Sequence, residues 1–493
     1  MPQPNCSPSP AAESAPEGPV VSPIAAETPA PTLPSDSITA HSAAGASDEP
    51  GSADDLDDAA TDEGLTAAAS GLARVSQLPD APTERELQTG ESPRRFAALR
   101  HRNFRLFWIG NVVSNIGSLA QQTAQGWLVR DLTTDPLTIT IVAACASAPF
   151  LFVTLYAGVM ADRVDKRRAL IITNASAAVM ALLLAGLVWG QVVQIWHVAL
   201  ISFAAGVIAA FDIPIRQSFN LEMVGHDDLP NAIALNSTAF NVARVAGPAA
   251  GGFLLREVGV DGCFLINALS FAAIIVGLAM MVLPPHTPVT RKASFKSFWR
   301  GVVYVRRHPT LWLVTMLVGV VSLLSMPFGT LLPVFARDIF HSDETGFAGL
   351  MVCNGIGALG SALSLAAAGK MQHRGKRLLL GAFLFCLGVV AFASSPNIMV
   401  AGFCLIVSGW FLLTFLMTAN TMVQTLSPDN LRGRIFSIYM LALIGTAPIG
   451  AVLLGAVARY FSDSRFAVQL LSMLAAMFTF WVYMRFRELW KER

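Results

Sequence analysis

The sequence predicts an all-α polytopic membrane protein with about 12 transmembrane helices in two six-helix parallel repeats. Three observations predict it. Of the 493 residues, 54% are hydrophobic and only 14% charged, and the mean hydropathy of +0.55 lies outside the range of soluble globular chains. The apolar residues fall in runs of roughly 20, the length a helix needs to cross about 30 Å of hydrocarbon. The landmarks of the first half of these runs return, in the same order, in the second half.

Residues 1–95 come first and read as a disordered, acidic tail rich in Pro, Ala and Ser. Met1 to Ala73 holds no Lys or Arg, so the stretch has neither the apolar residues for a core nor the basic start and apolar centre of a secretory signal. Residues 96–283 are expected to form one six-helix bundle, with spans near 104–130, 137–161, 169–189, 197–216, 232–255 and 264–283. Residues 284–310 form a linker with an amphipathic helix around 295–305. Residues 311–493 form the second bundle and a short basic tail, with spans near 311–335, 347–368, 378–393, 398–421, 435–458 and 466–486.

The basic residues set the orientation. Arg94, Arg95, Arg100 and Arg102 precede the first span, Arg163 to Arg168 follow the second, and Lys370 to Arg377, Arg432, Arg434 and Arg485 to Arg493 recur at alternate loops. The positive-inside rule then puts both termini in the cytoplasm of a multi-pass inner (plasma) membrane protein. The repeat has an offset of roughly 200 to 210 residues. Arg102-Asn103-Phe104 is echoed by His308-Pro309-Thr310, Ala157-Gly158 by Ala368-Gly369, and Gly247-Pro248 by Ala447-Pro448.

Several chemistries find no support. The six cysteines show no CxxC spacing, the histidines no ligand-like spacing, and the GK dipeptides at Gly369 and Gly375 do not complete a phosphate-binding loop. No catalytic residue, metal, organic cofactor or nucleic-acid partner is expected, because no nucleophile has a paired base within the spans.

The loop Gly158-Val-Met-Ala-Asp162-Arg163-Val-Asp165-Lys166-Arg167-Arg168 resembles the signature found between the second and third helices of the major facilitator superfamily. Asp165 stands where that family usually has Gly. Gly247-Pro248-Ala-Ala-Gly251-Gly252 resembles the GPxxGG element of its antiporters and drug exporters, while the arginine-bearing motif of the fourth helix has no counterpart. Ala210 to Phe219, Asn231 to Pro248 and Leu431 to Tyr439 resemble the enterobactin-exporter and macrolide-efflux branch. The resemblance implies Gly158, Asp162, Arg163 and Arg167 as a conformational latch and Gly247, Pro248, Gly251 and Gly252 as a bent, tightly packed rocking element.

Within the spans, Asn111, Asn115, Ser118, Gln122 and Gln125 recur at spacings of 4, 3, 4 and 3 and share one helical face. They suit either a hydrated cavity or interhelical hydrogen bonds. Arg244 lies roughly 20 Å into the fifth span at 1.5 Å per residue. With Ser237 and Asn241 on its face, it offers a positive wall to an anionic or hydrogen-bonding substrate, or is a structural arginine satisfied by carbonyls or a carboxylate. Asp212, one turn before Arg216, is a candidate for proton coupling together with Asp162, or one half of a static pair.

The expected function is secondary active transport driven by the proton gradient. In the form the resemblance implies, it is efflux of a small amphipathic drug, macrolide or siderophore, with Asn115, Gln122, Gln125, Asn241 and Arg244 lining the cavity. An importer is the alternative, as is a non-transporting scaffold or sensor whose acidic tail recruits a partner.

Overall fold

The computed structural model describes residues 96–153, 160, 164–282, 295–367, 373–428 and 431–486; the expected tail lies outside them. A 3-10 turn at Ala97–Arg100 leads into α1 (Arg102–Leu132), followed by α2 (Pro136–Val153), α3 (Lys166–Trp189) and α4 (Ile195–Gly225). The helical run then continues through Asp227–Ala279. Its backbone leaves helical geometry at Gly225 (φ 72°, ψ −176°) and Gly259 (φ 74°, ψ −177°), a conformation essentially reserved for glycine. Each glycine turns the chain without a loop, so the run holds α4, α5 (227–258) and α6 (260–279).

The linker helix α7 (Phe295–Arg307) packs its Gly301 against Arg434 and Ile438. The second half comprises α8 (Pro309–Ile339), α9 (Glu344–Ala367), α10 (Arg374–Ala393), α11 (Ile398–Leu426), α12 (Arg432–Phe461) and α13 (Ser464–Arg485). Side-chain caps start many of these helices. Asp135, Asp165, Asn397 and Asp463 accept from the first free N–H groups of α2, α3, α11 and α13, and His308 does so for α8.

Ten stretches have the length and hydropathy of a membrane span. Asp227–Ala279 holds two of the crossings, and α1, less apolar because of its polar stripe and terminal charges, adds a further 31-residue one, so the described residues contain twelve. Helix starts at 102, 136, 166, 195, 227 and 260 pair with starts at 309, 344, 374, 398, 432 and 464, offsets of 203 to 208 residues. The repeat is therefore carried by the backbone as well as by sequence landmarks.

Two details differ from the sequence expectation. The fourth span runs past Arg216 to Gly225 and the fifth starts at 227 rather than 232, because Phe219, Met223 and Val224 bury their side chains in the bundle and Glu222 is paired with Lys166. Pro448 begins the second segment of α12 after a break at Gly445, whereas the matching Pro248 sits inside a helix that continues through it.

Large apolar side chains also lie on the outside. Ile172, Leu182 and Leu183 on α3 and Met473, Met477 and Phe480 on α13 are exposed, as expected where the solvent is lipid. Trp189, Trp196, Trp299 and Tyr460 stand exposed near helix ends, where amphipathic rings suit the headgroup level.

The two halves meet through α2 on α12 and α5 on α9. One hydrophobic cluster runs across both halves at the end of the bundle that carries Trp127, Val129, Phe335 and Phe347. At the opposite, basic end, the first half closes on a separate cluster of its own, built on Phe104, Phe107, Leu170, Phe219 and Leu278.

Candidate functional site

A cavity of about 490 Å3 lies between the halves, lined by Gln217 and Asn220 of α4, by Ile233, Asn236, Ser237, Phe240, Asn241 and Arg244 of α5, and by Leu413 and Met417 of α11. Its size is that of a small-molecule site. Arg244 lies 17 residues into α5, and its guanidinium makes no hydrogen bond or ion pair with any described residue. Asn236 donates to the side-chain Oδ1 of Asn220 at 3.1 Å, yet its own Oδ1 is buried without a partner. Asn241 donates to the Ser237 carbonyl at 2.8 Å.

Beside the cavity on α4, Asp212 accepts four hydrogen bonds. The Thr173 hydroxyl donates at 2.7 Å, the Asn174 amide at 3.3 Å, and Arg216 donates from Nε at 2.9 Å and Nη2 at 2.6 Å. Arg216 also donates to Asn111 and lies 5.6 Å from the Phe107 ring centroid. The Asp212 and Arg216 side chains are only 15% and 21% exposed, so the pair ties α1, α3 and α4 together in a low-dielectric setting.

The polar stripe of α1 is divided. Its ends bond to α4, Asn111 through Arg216 and Gln125 through the Ser202 hydroxyl at 2.8 Å. Asn115 and Gln122 have no hydrogen-bond partner among the described residues. Interhelical bonding therefore holds at the two ends of the stripe, and Asn115, Gln122 and Gln125 are not among the residues that line the cavity, whereas the expected Asn241 and Arg244 are.

At the end away from the basic loops, two ion pairs cross between the halves. Arg130 donates to Asp338 as a two-pronged fork, with Nε to Oδ2 at 2.8 Å, and Arg337 pairs with Asp131. Arg337 lies 5.4 Å from the Trp127 ring, which stacks on Phe347 of α9. The two Arg-Asp dipeptides are 207 residues apart, the same offset as the starts of α1 and α8. Each half therefore contributes the same arginine and aspartate, and a pseudo-two-fold relation makes the bonds reciprocal. Sequence reasoning missed all four residues, and the repeated dipeptide at the repeat offset is the signal that would have found them.

A bundle of two six-helix repeats around a central cavity is matched by a family model. The model, described as transmembrane secretion effector, covers residues 93–490. The chain belongs to this family of the major facilitator superfamily. It is 26% identical over 368 residues to the staphyloferrin A transporter of Staphylococcus aureus, covering 73% of this chain and 89% of that one. It is 26% identical over 345 residues to the multidrug efflux pump Tap of Mycolicibacterium fortuitum (67% and 83%), and 25% identical over 305 residues to the enterobactin exporter EntS of Shigella boydii (60% and 71%).

Solved structures agree on the fold. A bacterial homologue of the human lysosomal transporter Spinster, inward-facing and unoccupied, matches with a TM-score of 0.60 at 14% identity over 80% of this chain and 99% of that one. The nucleoside transporter NupG matches with a TM-score of 0.61 at 14% identity over 79% and 100%. The protein is a multi-pass membrane transporter and not an enzyme.

In this transporter the GPxxGG element works at two interfaces. Gly247 and Gly251, one turn apart, lie against Leu119 and Ala120 of α1, and Gly252 faces Ala348 of α9 in the other half. Pro248 has no N–H to give the carbonyl of Arg244, and the backbone of α9 approaches that carbonyl at Gly355, where a Cβ would come within 2.6 Å. Of the loop motif, Gly158, Asp162 and Arg163 lie outside the described residues. Arg167 donates to the carbonyls of Leu278 and Ala279 at 2.7 and 2.6 Å, holding the start of α3 against the end of α6. Asp165, in the usual glycine position, accepts from the Arg168 backbone N–H at 3.1 Å as the cap of α3, which accounts for the departure.

Proposed function

We propose that the protein exports a small amphipathic molecule across the inner membrane by alternating access, driven by the proton gradient, with both termini in the cytoplasm. One observation carries this reading: the halves are joined at one end by the reciprocal Arg130–Asp338 and Arg337–Asp131 pairs, while the cavity lies toward the basic end, between α4, α5 and α11. With the basic loops inside, the cavity loads from the cytoplasm and the ion pairs close the outer side. The efflux names of Tap and EntS support the direction.

In this reading Asp212 couples the proton. Protonating it would remove the acceptor that holds Arg216 and leave that guanidinium to Asn111 and the Phe107 ring, loosening α4 against α1 and α3. Release on the outer side requires the crossed pairs to open, and the transmembrane potential and pH gradient supply the bias.

The test is efflux of a dye and a small antibiotic panel from membrane vesicles, with the pH gradient imposed or collapsed. Gradient-dependent efflux by wild type and its loss in Asp212→Asn is the expected result. Efflux indifferent to the gradient would remove the proton coupling, and uptake in place of efflux would reverse the direction.

A further inference from the structure

The charges around the cavity do not balance. Among the carboxylates nearby in sequence, Asp212 is paired with Arg216 and Glu222 with Lys166, Asp228 shares a hydrogen bond with His101 at 2.7 Å, and Asp227 is exposed without a charged partner among the described residues. Arg244 has none, and no Asp or Glu lines the cavity. A guanidinium held 17 residues along a membrane helix keeps its charge, so the cavity carries a net positive charge in a poorly screened setting.

Two neutral amides add donors to this wall, alongside one unpartnered acceptor, Asn236 Oδ1. With the Asn220 oxygen taken by Asn236, the Asn220 amide N–H groups have no acceptor among the described residues, and the Gln217 amide is likewise unbonded. Donors therefore cluster with Arg244 on the first half's wall. The facing wall from the second half offers only Leu413 and Met417, continued by Phe240 and Ile233 on α5.

We propose that this cavity selects an amphipathic anion. Its oxyanion is gripped by the fork of Arg244, with Asn220 and Gln217 as further donors, and its apolar body lies against Phe240, Leu413 and Met417. This substrate class rests on the transport reading above and narrows it. The first half reads charge and part of the apolar body, and the second half contributes apolar surface from Leu413 and Met417, so a bound molecule touches both moving parts. A flexible Met417 fits a facing wall that must accept varied apolar shapes.

The experiment uses the full chain in lipid nanodiscs and two probes of nearly identical shape, pyrenebutyrate and its methyl ester, with binding taken as the difference from empty nanodiscs. Wild type should bind the acid about tenfold or more tightly than the ester, the difference expected of charge-assisted hydrogen bonds. Arg244→Gln should bind both at the ester's affinity, and Arg244→Lys should keep part of the preference. Met417→Trp, which fills the apolar wall and leaves Arg244 in place, should weaken both probes together. Equal binding of acid and ester by wild type, no binding of the acid, or a preference that survives in a folded Arg244→Gln overturns the proposal, as does acid binding untouched by Met417→Trp. Failure here is separable from failure of the transport reading: a carrier of cations would fail this test and still drive vesicle efflux, and a non-transporting anion binder would do the reverse.

Discussion

At the scale of single residues, Asp212 and Arg244 are both ionisable groups inside the bundle, and their surroundings are opposite. Asp212 is saturated with donors, so Asp212→Asn should lower both transport and thermal stability, the latter by about 3–5 kcal/mol if Arg216 is left buried and unpaired. The double variant Asp212→Asn/Arg216→Gln should recover most of the stability without gradient-driven efflux, read by unfolding in nanodiscs and by the vesicle assay. Recovery of gradient-driven efflux would make the pair structural only. Asp135 shows a plainer role. The Thr138 hydroxyl holds its carboxyl below the usual carboxylate range against the opposing effect of burial, with the Thr138 backbone N–H helping. A lowered value means the cap stabilises α2 above the unfolded pKa of about 3.9 and loses that effect as pH falls through the native one. Asp135→Ala should therefore cost about 1 kcal/mol, unchanged between about pH 5 and 8 and shrinking in acid.

At the scale of elements, the close approaches are made by small residues on α5 and α9. Gly252→Leu would drive a branched side chain into Ala348 and wedge the halves apart at that seam, and a cost of about 1–3 kcal/mol is expected for such overpacking. Purified Gly252→Leu should unfold at lower temperature than wild type, whereas Gly186→Leu, at a site with open space around it, should not. The hydropathy of the spans was legible in the sequence, which is why ten stand out on length and composition alone. The ends of α4 and α5 were not. A polar stretch such as Gln217 to Met223 looks like a loop until the side chains it buries, Phe219 and Met223, and the partner of Glu222 are known.

At the scale of the whole molecule, the reciprocal Arg-Asp pairs should act as a latch between the two halves. Spin labels at Gln191 and Pro396, exposed between α3 and α4 and between α10 and α11, would report the separation of the halves at that end after replacement of the native cysteines. Asp338→Asn should shift the distance distribution toward longer values, because Arg130, 10% exposed, loses its fork. Exchanging the charges in Arg130→Asp/Asp338→Arg should restore the shorter distances. A distribution unmoved by Asp338→Asn would mean that the apolar seam of Trp127, Phe347 and their neighbours closes this end by itself.

The sequence by itself determined the number of crossings, the two-fold repeat and the end of the bundle that carries the basic loops. These follow from hydropathy, periodicity and charge, which are properties of neighbouring residues along one helix. Only the tertiary structure decided which polar groups are satisfied. Asp212 meets Thr173 and Asn174 some 39 and 38 residues away, and Arg130 meets Asp338 at a separation of 208, while Arg244 meets no carboxylate at all among the described residues. Partnership at such separations is set by how helices pack, and helix packing depends on contacts such as Gly252 on Ala348 that no single segment contains.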